Sequence, residues 1–214
     1  MALERRTAGI RRFAVRTAAI GLAVAAVLLS QVLYFAAVIR RGEARGNEEP
    51  ALVLVFDGDS TRIPAGFREA EQVGCRRVVV SSKRSRSVVG RMQKGQKRFR
   101  GSLTVVGGAV TTDQDARYTM PVVRSMMEGS CCQRVLFITS WYHLPRAYFL
   151  TRLYAIGSGL TWDYVAADPV PVGWCKRREL WAEFPKFWGS LFRVALAAVG
   201  IENWPRPSGY PKLR

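Results

Sequence analysis

The stretch Ala51-Leu-Val-Leu-Val-Phe56, followed directly by Asp57-Gly58-Asp59, decides the fold of this 214-residue chain. An unbroken apolar run without polar alternation is typical of a strand that is buried on both faces of a sheet. Three similar runs and a weaker last one follow it along the chain, at 77–80, 103–106, 135–138 and 160–165. The pattern therefore predicts five strands.

Segments that are long enough to form helices separate these runs, at 62–73, 84–98, 113–129 and 142–156. Strands that alternate with helices form right-handed βαβ units around a parallel sheet. We therefore predict one α/β domain over residues 51–214. Ligands of such sheets bind beyond the carboxyl ends of the strands. The small and polar residues after each run, such as Thr139-Ser140, mark that edge.

An apolar segment precedes the domain. Residues 17–39 carry no charge and would form a helix of about 35 Å, enough to cross a hydrocarbon core of about 30 Å. Five arginines precede the segment and three follow it, which predicts that residues 1–16 are cytoplasmic and the domain extracytoplasmic. Residues 40–50 are predicted to be a polar linker. A signal peptide cleaved near Ala23-Val24-Ala25 is the alternative, for which the segment is long.

The segment 179–199 has apolar residues at helical spacing and predicts a final helix. Amphipathic helices usually pack their apolar face on the rest of the fold, and we expect this one to pack on the sheet. Its tryptophans and basic residues leave a position on the membrane surface as the alternative.

The chain is strongly basic, with 33 Lys and Arg against 16 Asp and Glu, a formal net charge of +17. Residues 47–214 keep 25 basic against 14 acidic residues, a net +11. Such a charge favours anionic partners, including phospholipid headgroups, phosphorylated small molecules and nucleic acid. The basic run 83–100 contains Phe99 as its only aromatic residue, which speaks against nucleic acid, since bases stack on aromatic side chains.

The cysteines are too few for a disulfide scaffold and have no CxxC spacing that would suggest zinc. We expect buried free thiols, with one disulfide open if the domain is extracytoplasmic. The four are Cys75, Cys131, Cys132 and Cys175.

The segment Thr139-Ser-Trp-Tyr-His143-Leu-Pro-Arg146-Ala147 follows the fourth run and opens a helix. His143 is the only histidine of the chain, and a neutral imidazole can act as an acid or a base. Arg146 can bind a carboxylate or a phosphate through two hydrogen bonds. The segment therefore predicts a functional site at this edge of the sheet.

The same segment resembles the Tyr-His-x-Pro-Arg motif of the YdcF-like family, also called domain of unknown function 218. The resemblance covers about residues 51–170. Four further features of the family have counterparts here in the same order. The first strand with its loop corresponds to 51–59, the arginine that opens the first helix to Arg62, and the second strand with its small-residue turn to 78–82. The family's Asn-Thr-x-Glu-Asn-Ala motif corresponds to Thr111-Thr-Asp-Gln-Asp-Ala116.

This resemblance implies a Rossmann-like parallel sheet flanked by helices, one N-terminal transmembrane helix, and a role in cell-envelope integrity through peptidoglycan or lipid-carrier metabolism. It leaves the reaction, the cofactor and any metal open. Gln114 stands where the family has Glu. If that Glu is a base or a metal ligand, this chain lacks it. Either Asp115, Asp57 or Asp59 compensates, or the protein is a relic that binds without catalysis.

We expect the cleft to bind an anionic, phosphate-bearing ligand, either a small molecule or a lipid-linked one. Catalytic roles are expected for His143, Asp57 and Asp59. The ligand-binding residues are expected to be Arg62, Ser82, Thr112, Gln114, Ser140, Tyr142 and Arg146.

Two hypotheses from other classes stay open. Asp57-Gly-Asp59-Ser-Thr61 after a buried strand also resembles the first motif of haloacid-dehalogenase-like phosphatases. There the first Asp is the nucleophile, the second a general acid, and magnesium lies beside them. Thr139 or Ser140 would be the second motif, whereas Asp163 and Asp168 are poor substitutes for the late acidic pair. The other hypothesis is a non-catalytic membrane-anchored scaffold.

Overall fold

The structure is a computed structural model that describes residues 2–42, 49–84, 86–95 and 99–200. The chain divides into two compact units, Met1–Val38 and Ile39–Arg214.

The first unit consists of helix α1, Ala2–Arg41, whose last three residues belong to the second unit. Within it, Arg16–Arg41 is long and apolar enough to cross a membrane. The helix predicted over 17–39 is confirmed. It continues through Arg41, past the predicted start of the linker, and residues 43–48 of that linker lie outside the described residues.

The second unit is built on one sheet of five parallel strands, in the order β3-β2-β1-β4-β5. All five predicted runs are confirmed as strands, with bounds that agree to within one residue. The strands are β1 Leu52–Phe56, β2 Arg77–Ser81, β3 Ser102–Val106, β4 Arg134–Thr139 and β5 Thr161–Ala166.

Helices follow the strands as predicted, which confirms the α/β, Rossmann-like architecture. The second predicted segment, 84–98, forms a shorter helix, and residues 85 and 96–98 are not among the described ones. The helices are α2 Arg62–Gln72, α3 Arg86–Gly95, α4 Thr112–Met127, α5 Leu144–Tyr154 and α6 Arg178–Ala198, with a single 3-10 turn at Trp174–Lys176.

The core lies on both faces of the central strands. Every residue of β1 is buried, and each fully buried Val, Leu or Phe side chain contributes about 1.5–3 kcal/mol relative to an exposed one. Phe56 packs edge to face on Phe137, with ring centroids 4.9 Å apart. Gly66 lets α2 lie against β1, because a Cβ there would come within 2.3 Å of the Val55 side chain.

The strand order places a crevice between β1 and β4. From β1 the chain moves to β2 and β3 on one side, and then returns to β4 and β5 on the other. The connections after β1 and β4 therefore leave the sheet in opposite directions. Ligands of open α/β sheets bind at such a switch point, which here lies between Asp57 and Ser140.

Helix α6 packs on other helices rather than on the sheet itself. Its buried face includes Leu180 and Phe187, and Phe187 contacts Phe149 of α5 with ring centroids 5.1 Å apart. The apolar face predicted for this helix is confirmed, although its partners are α4 and α5. Three aromatic side chains of α6 stay exposed: Trp181, Trp188 and Phe192.

All four cysteines are free thiols. Cys75 is buried as expected, and its burial raises the pKa of the thiol. The expectation of burial is wrong for Cys131 and Cys175, which are exposed. Both lie outside the helices and strands that form the core, Cys131 before β4 and Cys175 in the 3-10 turn.

Candidate functional site

A cavity of about 720 Å³ opens at the carboxyl ends of the strands. The loops after β1, β2 and β3, the first turns of α4 and α5, and one side of α6 line it. Six of the ten predicted site residues are among the lining residues: Asp57, Arg62, Ser82, Thr112, His143 and Arg146. The switch point of the sheet thus coincides with a pocket large enough for a ligand.

Asp57 joins the loops that follow β1 and β2. Its Oδ2 accepts a hydrogen bond from Ser82 Oγ at 2.6 Å and lies 3.2 Å from Arg84 Nε. Its Oδ1 accepts from the backbone N–H of Gly58 at 2.8 Å. Both oxygens of this carboxylate are therefore held by donors of the protein.

Asp59 has its own set of donors and is not among the lining residues. Its Oδ1 accepts from Thr61 Oγ1 at 2.7 Å and from the Thr61 and Arg62 N–H groups where α2 begins. Its Oδ2 accepts from Arg62 Nε and Ser140 Oγ. Burial alone would raise the pKa of Asp59, but the hydrogen bonds from Ser140 and Thr61 and the charge of Arg62 lower it to about 2.

Arg62 is the buried cation of this turn, with 5% of the residue exposed. Its Nε also donates to Ser140 Oγ at 2.8 Å, and its Nη2 donates to Tyr142 Oη at 3.3 Å. Gly58 makes room for the guanidinium, since a Cβ there would lie 2.5 Å from Arg62 Nη1. Ser140, Tyr142 and Asp59 therefore hold Arg62 in place, while Arg62 itself reaches the cavity.

His143 lies in a second cluster, formed by α4, α5 and α6, and is 7% exposed. Its Nδ1 is 3.1 Å from Glu183 Oε2, and its Nε2 is 3.1 Å from Thr112 Oγ1. Glu183 also accepts from Arg146 Nε at 2.6 Å and from Lys186 Nζ at 2.9 Å. Thr112, Glu183 and Arg146 thus contact the ring nitrogens, and Lys186 contacts Glu183.

The protonation states in this cluster follow from burial and charge. Burial lowers the pKa of His143 to about 4, although Glu183 acts in the opposite direction. Burial would raise the pKa of Glu183, but the hydrogen bond from His143 and the charge of Arg146 hold it well below its usual range. At neutral pH the ring is therefore neutral and the carboxylate ionised.

The tautomer of His143 can be assigned from its neighbours. A lone pair on Nδ1 would face the ionised Glu183 oxygen, whereas a proton there makes a charge-assisted hydrogen bond. The proton therefore lies on Nδ1, and Arg146 Nη2, 3.2 Å from the same nitrogen, donates no hydrogen bond to it. Nε2 keeps its lone pair and accepts from the Thr112 hydroxyl.

Asp115 is a third carboxyl group, in the first turn of α4. It lines the cavity, and its Oδ1 accepts from Ser81 Oγ at 2.6 Å. Burial raises the pKa of Asp115 to about 7, although the Ser81 hydrogen bond and the charges of Lys83, Arg62 and Arg146 lower it in part. This group therefore changes its protonation near neutral pH.

Gln114, predicted as a ligand-binding residue, caps α4 instead. Its Oε1 accepts from the N–H groups of Val110 and Thr111, and Thr111 Oγ1 accepts from the Gln114 N–H, which completes a capping box. An amide oxygen accepts these bonds as a carboxylate would. The replacement of Glu by Gln at this motif position therefore leaves the helix start intact.

Sequence reasoning missed Glu183, the buried partner of His143, and it missed the residues that α6 brings to the cavity. A signal was present, because Glu183 shares the helical stripe of the buried Leu180 and Phe187. A carboxylate on an apolar stripe is rarely buried unless it is paired. The lining residues of α6 are Pro185, Lys186, Gly189, Ser190 and Arg193.

The two late acidic residues of the phosphatase hypothesis differ in position, since Asp163 lies in β5 and Asp168 lies near Asp59. Asp163 pairs with Arg134 at 2.9 Å, and burial and the nearby Asp59 raise the pKa of Asp168. Within the described ranges, no group of three or more His, Cys, Asp and Glu side chains is placed to hold a metal ion. Magnesium at Asp57 and Asp59 would have to displace Arg84 and Arg62, which occupy their carboxylates.

No protein-family model, curated protein or solved structure matches the chain. Membership of the YdcF-like family therefore stays a hypothesis that depends on the motifs of the sequence.

Proposed function

We propose that the cavity binds a phosphate-bearing anionic ligand and that the chain is a membrane-anchored, YdcF-like protein of the cell envelope. The observation that carries this proposal is the charge of the lining. Two carboxyl groups line the cavity, Asp57 and Asp115, against six cationic side chains: Arg62, Lys83, Arg84, Arg146, Lys186 and Arg193.

These cations differ in how far they are neutralised. Arg62 pairs with Asp59, Arg84 with Asp57, and Arg146 and Lys186 share Glu183. Lys83 is exposed, and within the part of the chain that the structure describes it makes no hydrogen bond or ion pair. Its ammonium group is therefore available to a phosphate oxygen, which a compact charge on a flexible stem can reach.

The exposed aromatic residues of α6 support a ligand that is linked to lipid. One side of the helix lines the cavity, whereas Trp181, Trp188 and Phe192 are 54%, 43% and 65% exposed. Aromatic side chains beside basic ones are enriched where proteins meet the membrane interface. Together with the apolar span Arg16–Arg41, they favour a phosphate that is carried by a lipid headgroup.

The arginine distribution around that span supports a cytoplasmic N-terminus and an extracytoplasmic domain, since arginines are retained on the cytoplasmic side. Five arginines precede residues 17–39 and three follow them. In this topology the cavity would meet lipid-linked intermediates of the envelope on the outer side of the membrane.

Ligand binding can be tested on the full-length chain in detergent micelles by thermal unfolding with inorganic pyrophosphate. Binding should raise Tm, because a ligand that binds the folded state stabilises it in proportion to RT ln(1 + [L]/Kd). Lys83→Met should weaken binding about tenfold, the effect of losing about 1.4 kcal/mol of interaction. Lys176→Met removes an equally exposed lysine outside the cavity and should leave binding unchanged.

A phosphoester hydrolysis assay, together with the thermal unfolding assay, separates the other hypotheses. A phosphatase of the haloacid-dehalogenase type would hydrolyse a phosphoester only with magnesium and would lose activity in Asp57→Asn. A non-catalytic scaffold would show no Tm shift with pyrophosphate or with a micelle that contains a phosphorylated lipid. Equal binding by the wild type and Lys83→Met would contradict the proposed position of the phosphate.

A further inference from the structure

Three buried side chains form a continuous relay at the cavity wall. Thr112 Oγ1 lies 3.1 Å from His143 Nε2, and His143 Nδ1 lies 3.1 Å from Glu183 Oε2. They come from the first turn of α4, the residue before α5 and the second turn of α6. A hydroxyl that contacts a base, which a third group orients in turn, is the arrangement that activates a nucleophile.

We propose that Thr112 is the nucleophile of a covalent phosphoryl transfer, with His143 as its general base and Glu183 as the residue that positions His143. The inference rests on the proposed function, because the phosphate ligand of the cavity is the substrate. It extends that function from binding to turnover.

The surroundings of Thr112 suit an attack on phosphorus. Thr112 and His143 both line the cavity that holds the cations. Thr112 is the first residue of α4, so its hydroxyl lies at a helix N-terminus, where backbone N–H groups stabilise negative charge. Asp115 follows three residues later on the same helix face, and it also lines the cavity.

The proposed reaction has two steps that balance. In the first, Thr112 Oγ forms a bond to phosphorus, its proton passes to His143 Nε2, and the bond to the leaving oxygen breaks. That oxygen keeps the electron pair and takes the proton of Asp115. In the second, the water oxygen forms a bond to the phosphorus of the phosphothreonine, and the bond from phosphorus to Thr112 Oγ breaks. Asp115 takes one proton from the water, and Thr112 Oγ, which keeps the electron pair, recovers its proton from His143. The sum is hydrolysis of a phosphoester or phosphoanhydride.

A purely structural hydrogen-bond network would show the same contacts, so the test must measure reactivity. A fluorophosphonate phosphonylates activated hydroxyl groups and releases fluoride. Fluoride takes the place of the natural leaving group, which therefore need not be known. The full-length chain in micelles is treated with it, and the modified residue is identified by peptide mass spectrometry. Thr112 should be labelled, whereas Ser190, a hydroxyl of the same cavity that donates to the Lys186 carbonyl, should not.

The variants assign the roles. Thr112→Val should abolish labelling, and Thr112→Ser, which keeps the hydroxyl, should retain it and so show that the fold of this site is intact. His143→Gln and Glu183→Gln should slow labelling by about 100-fold or more, as in other nucleophile–base–acid arrangements. The glutamine at 183 keeps an oxygen that can accept from His143 Nδ1.

A pH profile separates positioning by Glu183 from a merely structural role. Labelling should rise with the deprotonation of His143, at about pH 4, because burial and the charges of Arg146 and Arg62 lower its pKa while Glu183 raises it. Glu183→Gln removes the group that raises this pKa, and should move the midpoint to lower pH. Loss of fold alone would change the amplitude without moving the midpoint.

An unlabelled Thr112 in the wild type, or equal labelling of wild type and His143→Gln, would overturn the nucleophile assignment. Inorganic pyrophosphate serves as the separate probe of binding. A Tm shift with pyrophosphate and no label on Thr112 would leave the binding proposal standing and remove the chemistry. A labelled Thr112 without a pyrophosphate shift would support an activated nucleophile and contradict phosphate as its ligand.

Discussion

Asp59 and Asp115 lie at the same edge of the sheet, and their carboxyl groups behave in opposite ways. Asp59 belongs to the turn before α2 and has a pKa of about 2, whereas Asp115 belongs to the first turn of α4 and has a pKa of about 7. Both start from an ordinary value of 3.8. The two regions therefore shift the pKa of one residue type in opposite directions.

The difference comes from direct contacts and from the extent of burial, which is greater at Asp115. Asp59 accepts hydrogen bonds from Thr61 and Ser140 and pairs with Arg62 at 3.1 Å. Asp115 has the single hydroxyl of Ser81, while the cations around it act from farther away and do not offset its burial. Contact donors and a paired cation thus outweigh burial at Asp59, and burial outweighs distant cations at Asp115.

Asp115→Asn should give the largest change and should stabilise the fold. Between pH 3.8 and about 7, the Asp115 carboxyl is protonated in the folded state and ionised in the unfolded state. Asp115 therefore lowers the stability of the fold, and this loss grows as the pH rises through the range. The pKa shift corresponds to a gain in the free energy of unfolding of Asp115→Asn of about 4 kcal/mol at pH 8 and about 2 kcal/mol at pH 5. Thermal unfolding at both pH values would measure the gain.

The asparagine side chain can still accept a hydrogen bond from Ser81, so the gain in stability measures the effect of removing the charge. No stabilisation at pH 8, or a gain that is equal at both pH values, would contradict a raised pKa for Asp115. If Asp115 is the proton donor proposed above, the same variant should be more stable and less active, as expected where a site maintains a costly charge for function.

Arg62→Met tests the other region and should destabilise the fold by about 3 kcal/mol, because it leaves buried polar partners without their cation. For a chain of this size the corresponding fall in Tm is about 6–12 °C. Arg62→Lys is the matched control, since it keeps the charge but cannot donate to Asp59, Ser140 and Tyr142 together. A lysine variant as unstable as the methionine variant would assign the effect to geometry rather than charge.

Between pH 5 and 7, the free energy of unfolding should rise by about 2 kcal/mol more in Asp115→Asn than in the wild type. The pKa of His143 falls from 6.5 to about 4 on folding. Between pH 5 and 7 the unfolded state therefore binds more protons at this residue than the folded state, and stability rises with pH. Asp115 changes in the opposite sense and opposes that rise in the wild type. If the stability of the wild type rises as much as that of Asp115→Asn, Asp115 does not oppose the effect of His143.

The fold could be predicted from the sequence because parallel strands buried on both faces leave continuous apolar runs. Such runs are visible without knowledge of the partners of each strand. The weakest run, 160–165, became the edge strand β5, whose residues are mostly half-buried. Its weaker apolar signal and its position at the edge have the same physical cause.

The site could be predicted only to the level of the sheet edge. A motif shows which loop a residue belongs to, but does not show the direction of its side chain. For this reason Ser140 and Tyr142 were expected to contact the ligand, while the structure turns them toward Arg62. Glu183 lies 40 residues from its partner His143, and only the packing of α6 brings them together.

Asp59→Asn is the smallest expected change and completes the comparison. The lowered pKa of Asp59 means that its charge stabilises the fold above pH 3.8, and that this contribution is lost as pH falls toward about 2. Because 35% of the side chain is exposed, solvent screening reduces the expected loss at pH 7 to about 1 kcal/mol. The loss should be smaller still in 0.5 M salt, where the Debye length is roughly 4 Å. The stability gain in Asp115→Asn depends on burial and should not change with salt. Urea unfolding of both variants at low and high salt would measure this, and equal salt dependence would remove the distinction between contact charge at Asp59 and burial at Asp115.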